Sequence, residues 1–103
     1  MTQEDKIGLG VMQIAAAQLN GICGYKRAYA EMPNYVKLST GNLKGSIKRP
    51  GEPMWHQIVR NIKSHQGGPN FNYIDAGYLV HVPRTGYRIT PKGVSHLKSK
   101  GLI

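Results

Sequence analysis

The 103-residue chain has a single cysteine, Cys23, which excludes two classes of small protein. No intrachain disulfide can staple it, and no zinc site built on several thiolates can form. Long apolar runs are missing as well: none approaches the ~20 residues that a membrane-spanning helix needs. The opening MTQEDKIGLG lacks the basic leader and clean apolar core of a secretory signal. A reducing cytoplasm is therefore the simplest compartment, with no membrane contact expected. Acids are scarce, 5 Asp and Glu against 14 Lys and Arg. Carboxylates so few and scattered suit neither acid–base catalysis nor a two-metal nuclease centre. His56, His65, His81 and His96 are too dispersed in the sequence to suggest a metal site. Cys23 with a distant histidine is a nominal nucleophile pair, but nothing in the sequence orients it, and its place between helices suits a buried small residue. No enzyme, metal or cofactor is expected.

What is present is positive charge, a net +9 at neutral pH. Such an excess favours polyanionic partners, nucleic acid first. Its placement sharpens the point. From Pro53 onward a single acid, Asp75, stands against Arg60, Lys63, Arg84, Arg88, Lys92, Lys98 and Lys100. The length allows one compact domain with one modest core. Residues 1–103 are read as that single domain, cut from a longer parent chain, since LKSKGLI stops like a domain edge.

Apolar periodicity predicts the elements in turn. Ile7, Val11, Ile14, Ala15 and Leu19 recur at helical spacing from Gln3 to Asn20, with Asn20-Gly21 as the stop. Thr2 can cap this helix, and Gly8 and Gly10 weaken it or admit another backbone. ICG reads as a short extended link. Tyr25, Ala28, Tyr29 and Met32 mark a short amphipathic helix ended by Pro33. A weak helical piece follows, capped by Ser39 or Thr40, with Leu43 and Ile47 inward. The stretch RPGEPMWHQIVRNIKSH then predicts a helix over 53–65, with Pro53 in its first turn and Trp55, Ile58, Val59 and Ile62 on one stripe. Glu52 just ahead suits the positive helix end. A β-hairpin follows, from the run Tyr78–Val82 through the PRTG turn to YRIT. Thr90 and Pro91 open a final helix with Val94 and Leu97 inward. The fold class is α+β, mainly α: a winged helix-turn-helix of three to four helices, a two-stranded hairpin wing and a C-terminal helix.

Residues from about Tyr25 to Leu97 resemble a winged-helix domain of prokaryotic restriction-type proteins, where it accompanies Mrr-like or HNH nuclease domains or reads methylated DNA. Such domains show Trp–x3–Val/Ile–Arg–x2–Ile/Leu on the third helix, matched here by Trp55, Val59, Arg60 and Ile62. Their strand and helix-start motifs are matched by Gly77-Tyr78, by Gly86-Tyr87-Arg88-Ile89-Thr90 and by Pro91-Lys92-Gly93. The match is close over the last half of the chain and rests on helix pattern alone before it. No nuclease motif is present, so the resemblance implies a catalytic domain that was lost, sits on another chain or belongs to a longer parent chain. It implies double-stranded DNA as partner and a target-reading role, with modified-base reading open.

The polar face of the 53–65 helix carries His56, Gln57, Arg60, Asn61, Lys63 and Ser64 and no acid. Arg pairs with guanine and Gln or Asn with adenine in the major groove, so this is the composition of a recognition helix. A plain solvated face is the alternative. Arg84 and Arg88 of the hairpin, and Lys48 and Arg49 ahead of the helix, would meet phosphates. Trp55, Phe71 and Tyr73 are candidates for an apolar pocket around a modified base, though Trp55 also suits the core. Two other roles stay open: a protein-interaction winged helix binding an acidic partner, and an RNA-binding domain.

Overall fold

The computed structural model describes residues 3–38 and 52–103. Among these the chain is α+β, with four α-helices and one three-stranded antiparallel sheet. Helix α1 spans Gln3–Ala16, strand β1 Ile22–Gly24 and helix α2 Tyr25–Glu31, which runs into a 3-10 turn at Met32–Asn34. Helix α3 spans Met54–Ser64, β2 Leu79–Val82, β3 Gly86–Ile89 and α4 Pro91–Ser99. The expected helical piece with Leu43 and Ile47, and the basic residues Lys44, Lys48 and Arg49, lie outside the described residues. No helix among the described residues is long and apolar enough to cross a membrane.

Helix α1 runs through the core. Ile7, Val11, Met12 and Ile14 are fully buried, each worth about 1.5–3 kcal/mol of apolar transfer. Gly8 and Gly10 lie on buried faces and admit side chains rather than backbone. A methyl at Gly8 would run into the Tyr73 ring, and one at Gly10 into Met32 and Val36. The helix ends at Ala16, four residues before its expected stop, and Leu19 is fully exposed. Local polar bonding overrides the apolar period there. The Gln18 amide donates to the Ile14 carbonyl at 3.0 Å, and the Ile22 N–H donates to the Asn20 side chain at 3.0 Å. Gly21, at φ +69°, completes the turn.

The ICG segment is a strand, not a link. It pairs antiparallel with β3 through Ile22–Arg88, Cys23–Tyr87 and Gly24–Gly86. Strand β3 is therefore central, with the hairpin partner β2 on its other side. The inner sheet face buries Cys23, Tyr87, Leu79 and Ile89. Helix α4 starts as its sequence requires: the Thr90 hydroxyl accepts from the Gly93 N–H at 3.0 Å and donates to the Gly77 carbonyl at 2.6 Å.

One buried polar side chain joins α3 to the segment leading into β2. Asn72 is 4% exposed, and its amide donates to the Ile62 carbonyl near the end of α3 at 2.8 Å. Its side-chain oxygen accepts from the N–H groups of Ile74 and Asp75 at 2.8 and 3.1 Å. The sequence signal for it was weak, since Asn72 lies in a stretch rich in turn residues.

Candidate nucleic-acid interface

Helix α3 is held by Trp55, Val59 and Ile62, all buried, with Ile58 packed against the core at its margin. At about 100° per residue Gln57 and Ser64 point away from that stripe, Arg60 and Asn61 flank them, and His56 and Lys63 lie toward α2. Ser64 is exposed, while Gln57, Arg60 and Asn61 are partly buried.

The flank facing α2 is bound into the protein. Arg60 donates to the Tyr29 hydroxyl at 3.1 Å and forms an ion pair with Glu52. The His56 ring stacks on Tyr29, centroids 4.0 Å apart and 9° from parallel, and its Nδ1 lies 3.6 Å from Glu52. Lys63 donates to the Tyr25 hydroxyl at 3.3 Å, and Tyr25 also meets His81 Nε2 at 3.3 Å. This corrects the expectation of an acid-free face: Glu52, ahead of the helix, supplies the acid. Long helical side chains lean toward the N-terminus, so Arg60 reaches back two turns to it. By direction alone the outermost stripe of α3 is Gln57, Asn61 and Ser64, with Arg60 at its edge.

Burial pushes His56, His81 and His96 below the ordinary histidine value of 6.5. Glu52 opposes the shift at His56 and Arg60 adds to it, Lys63 lowers His81 further, and Lys100 does so for His96. The unfolded chain then takes up protons that the folded one refuses. Stability is full above pH 6.5 and declines as pH falls below it toward the folded values. Thermal unfolding should move to lower temperature between about pH 7.5 and about pH 5.5, with His56→Gln flattening the dependence. A midpoint that stays level or rises on acidification would contradict the burial assigned to these rings.

At the hairpin, Arg84 sits at the tip, exposed, with φ +64°. The left-handed region costs a residue with a Cβ roughly 1–2 kcal/mol. Arg88 is exposed too, but in the middle of β3, opposite Ile22 and Val80 on the open face of the sheet. The candidate aromatic pocket falls into two groups. Trp55 is buried beside Tyr29 and His56. Tyr73 is buried, donates to the Asp5 carbonyl at 3.1 Å and meets the half-exposed Phe71 edge-on at 4.9 Å. No ring contact joins Trp55 to either of them among the described residues. Lys48 and Arg49 lie outside the described residues.

Cys23 is buried, and burial above all, with Glu31 adding and Arg27 opposing, pushes its thiol up to about 12. It stays protonated at neutral pH, the inert form of a cysteine. Among the described residues no three His, Cys, Asp or Glu side chains converge where they could hold a metal ion. No family model, curated protein or solved structure matches the chain.

Proposed function

We propose that the chain is a winged-helix domain that binds double-stranded DNA, with α3 in the major groove and the β2–β3 hairpin as the wing. The observation that carries this reading is the join between the two elements. Tyr87 of β3 donates to the Val59 carbonyl at 2.6 Å, so the hairpin bearing Arg84 is fixed beside a helix whose outer stripe is Gln57, Asn61 and Ser64. The order α1, α2, α3 and then a hairpin is that of a winged helix, and the net charge of +9 favours a polyanion. Gln57 and Asn61 would read base edges, and Arg60, shared between Glu52 and Tyr29, sets the edge of the reading surface. The resemblance to restriction-associated domains makes this a target-reading module whose partner is a nuclease domain or subunit.

Binding to duplex DNA should weaken steeply with salt, log affinity against log salt falling with a slope near −0.9 per phosphate contact. Gln57→Ala should cost about 1–3 kcal/mol on the preferred sequence and relax specificity at one position. A selection from random duplexes, with and without adenine and cytosine methylation, supplies that sequence. Enrichment indifferent to sequence and methylation would sink the target-reading role. Stronger binding to structured RNA, or to an acidic protein, would sink the DNA reading itself.

A further inference from the structure

The hairpin tip and the start of α2 enclose a concavity of about 420 Å³, lined by Gly24, Tyr25, Lys26, Arg27, Arg84 and Thr85. Three of these six residues are cationic, and no acid is among them. The two walls are tied together, because the Tyr25 N–H donates to the Thr85 carbonyl at 3.0 Å. Arg84 holds its place at φ +64°, a backbone conformation that glycine fills without strain. Strain kept at an exposed turn points to a use for the side chain it carries. Arg27 is engaged by Glu31 at 2.7 Å, with half of its side chain exposed. Such surface pairs are weak, and a stronger anion can displace the carboxylate.

We propose that this concavity is a phosphate-binding site for a phosphodiester of the nucleic-acid backbone, with Arg84 and Lys26 as its cations and Arg27 recruited from Glu31. The proposal rests on the DNA reading above and extends it to α2, to which composition and resemblance assigned no contact. Arg88, on the open sheet face, is not part of this site.

The test is a salt titration of binding to a random-sequence duplex, read by fluorescence anisotropy. Four proteins are compared: the wild type, Lys26→Gln/Arg27→Gln, Arg84→Gly, and Lys98→Gln/Lys100→Gln as a control that removes equal charge at the end of α4. The α2 double variant should lower the magnitude of the log–log slope by about two contacts' worth, roughly 1.8, and Arg84→Gly by roughly 0.9. The α4 control should lower it less than either. Arg84→Gly should also unfold at no lower temperature than the wild type, since glycine relieves the strained φ, so lost binding there cannot be lost fold. A steep wild-type slope that the α2 variant leaves unchanged, or that the α4 control lowers equally, overturns the site and leaves DNA binding standing. A wild type that binds no duplex at low salt overturns both.

Discussion

Replacing Tyr87 with alanine should lower the unfolding free energy by about 3–5 kcal/mol, the range for truncating a large buried aromatic. The ring is fully buried in the central strand and meets Tyr25 edge-on at 5.8 Å. Its hydroxyl donates to the Val59 carbonyl at 2.6 Å and accepts from the Lys63 N–H at 3.2 Å. Those two groups are the partners of one i→i−4 step of α3, so the hairpin grips the helix through its own ladder. Burial, with Tyr25 and Tyr29 adding and the Lys63 N–H opposing, pushes the phenol far above its ordinary value, and it remains a donor. A domain of this size has about 5–15 kcal/mol in total, so the alanine variant keeps little margin. Tyr87→Phe retains the ring and removes only the hydroxyl with its bonds to the Val59 carbonyl and the Lys63 N–H. It should cost only about 1 kcal/mol. Urea unfolding followed by far-UV circular dichroism compares the two, and equal losses would show that the hydroxyl, not the packed ring, carries the join.

Gly86→Ala should be nearly as damaging, at about 3 kcal/mol or more, beyond the usual cost of overpacking. Gly86 pairs with Gly24 on one side and Val82 on the other. A methyl there would overlap the Cys23 carbonyl oxygen and approach the Gly24 Cα to 3.0 Å. Both obstacles are backbone, so no side chain can rotate away, and β1 would have to part from β3. The Ile89 N–H, which donates to the Gly21 carbonyl at 2.9 Å beside this seam, should exchange with solvent faster in the variant. Gly24→Ala is the contrast: its methyl would lie 3.6 Å from the Thr85 carbonyl oxygen, an ordinary contact. Comparable exchange rates at Ile89 in the two variants would contradict the steric origin of the effect.

The stretches readable from sequence are those whose determinants are local. Trp55, Ile58, Val59 and Ile62 repeat over enough turns to announce α3, and Thr90-Pro91 announces the start of α4. Strand β1 was not legible. Three residues cannot display an alternation, and Ile22–Gly24 is a strand only because β3 offers it an edge. Leu19 misled for the opposite reason, continuing an apolar period that the Gln18 and Asn20 side-chain bonds had already ended. Half of the candidate site was hidden in the same way. Glu52 reads locally as an acid at a helix start and Tyr29 as part of another helix's apolar stripe. The backward lean of Arg60 along α3 brings it to Glu52, and only the packing of α2 against α3 brings Tyr29 to it. The exposed positions of Arg84 and Arg88 followed from the hairpin pattern, but the gathering of Lys26 and Arg27 beside Arg84 depends on the β1–β3 pairing that the sequence did not reveal.

The most direct measurement is amide chemical-shift mapping of the isotope-labelled protein as duplex DNA is added. If α3 lies in the major groove with the hairpin on the backbone, the largest changes should fall at Gln57, Asn61, Ser64 and Arg84, with smaller ones at Lys26 and Arg27. The separate concavity around Asp5, Phe71 and His96 should stay still. Changes confined to that concavity, or none at a DNA concentration that saturates anisotropy, would contradict the proposed interface.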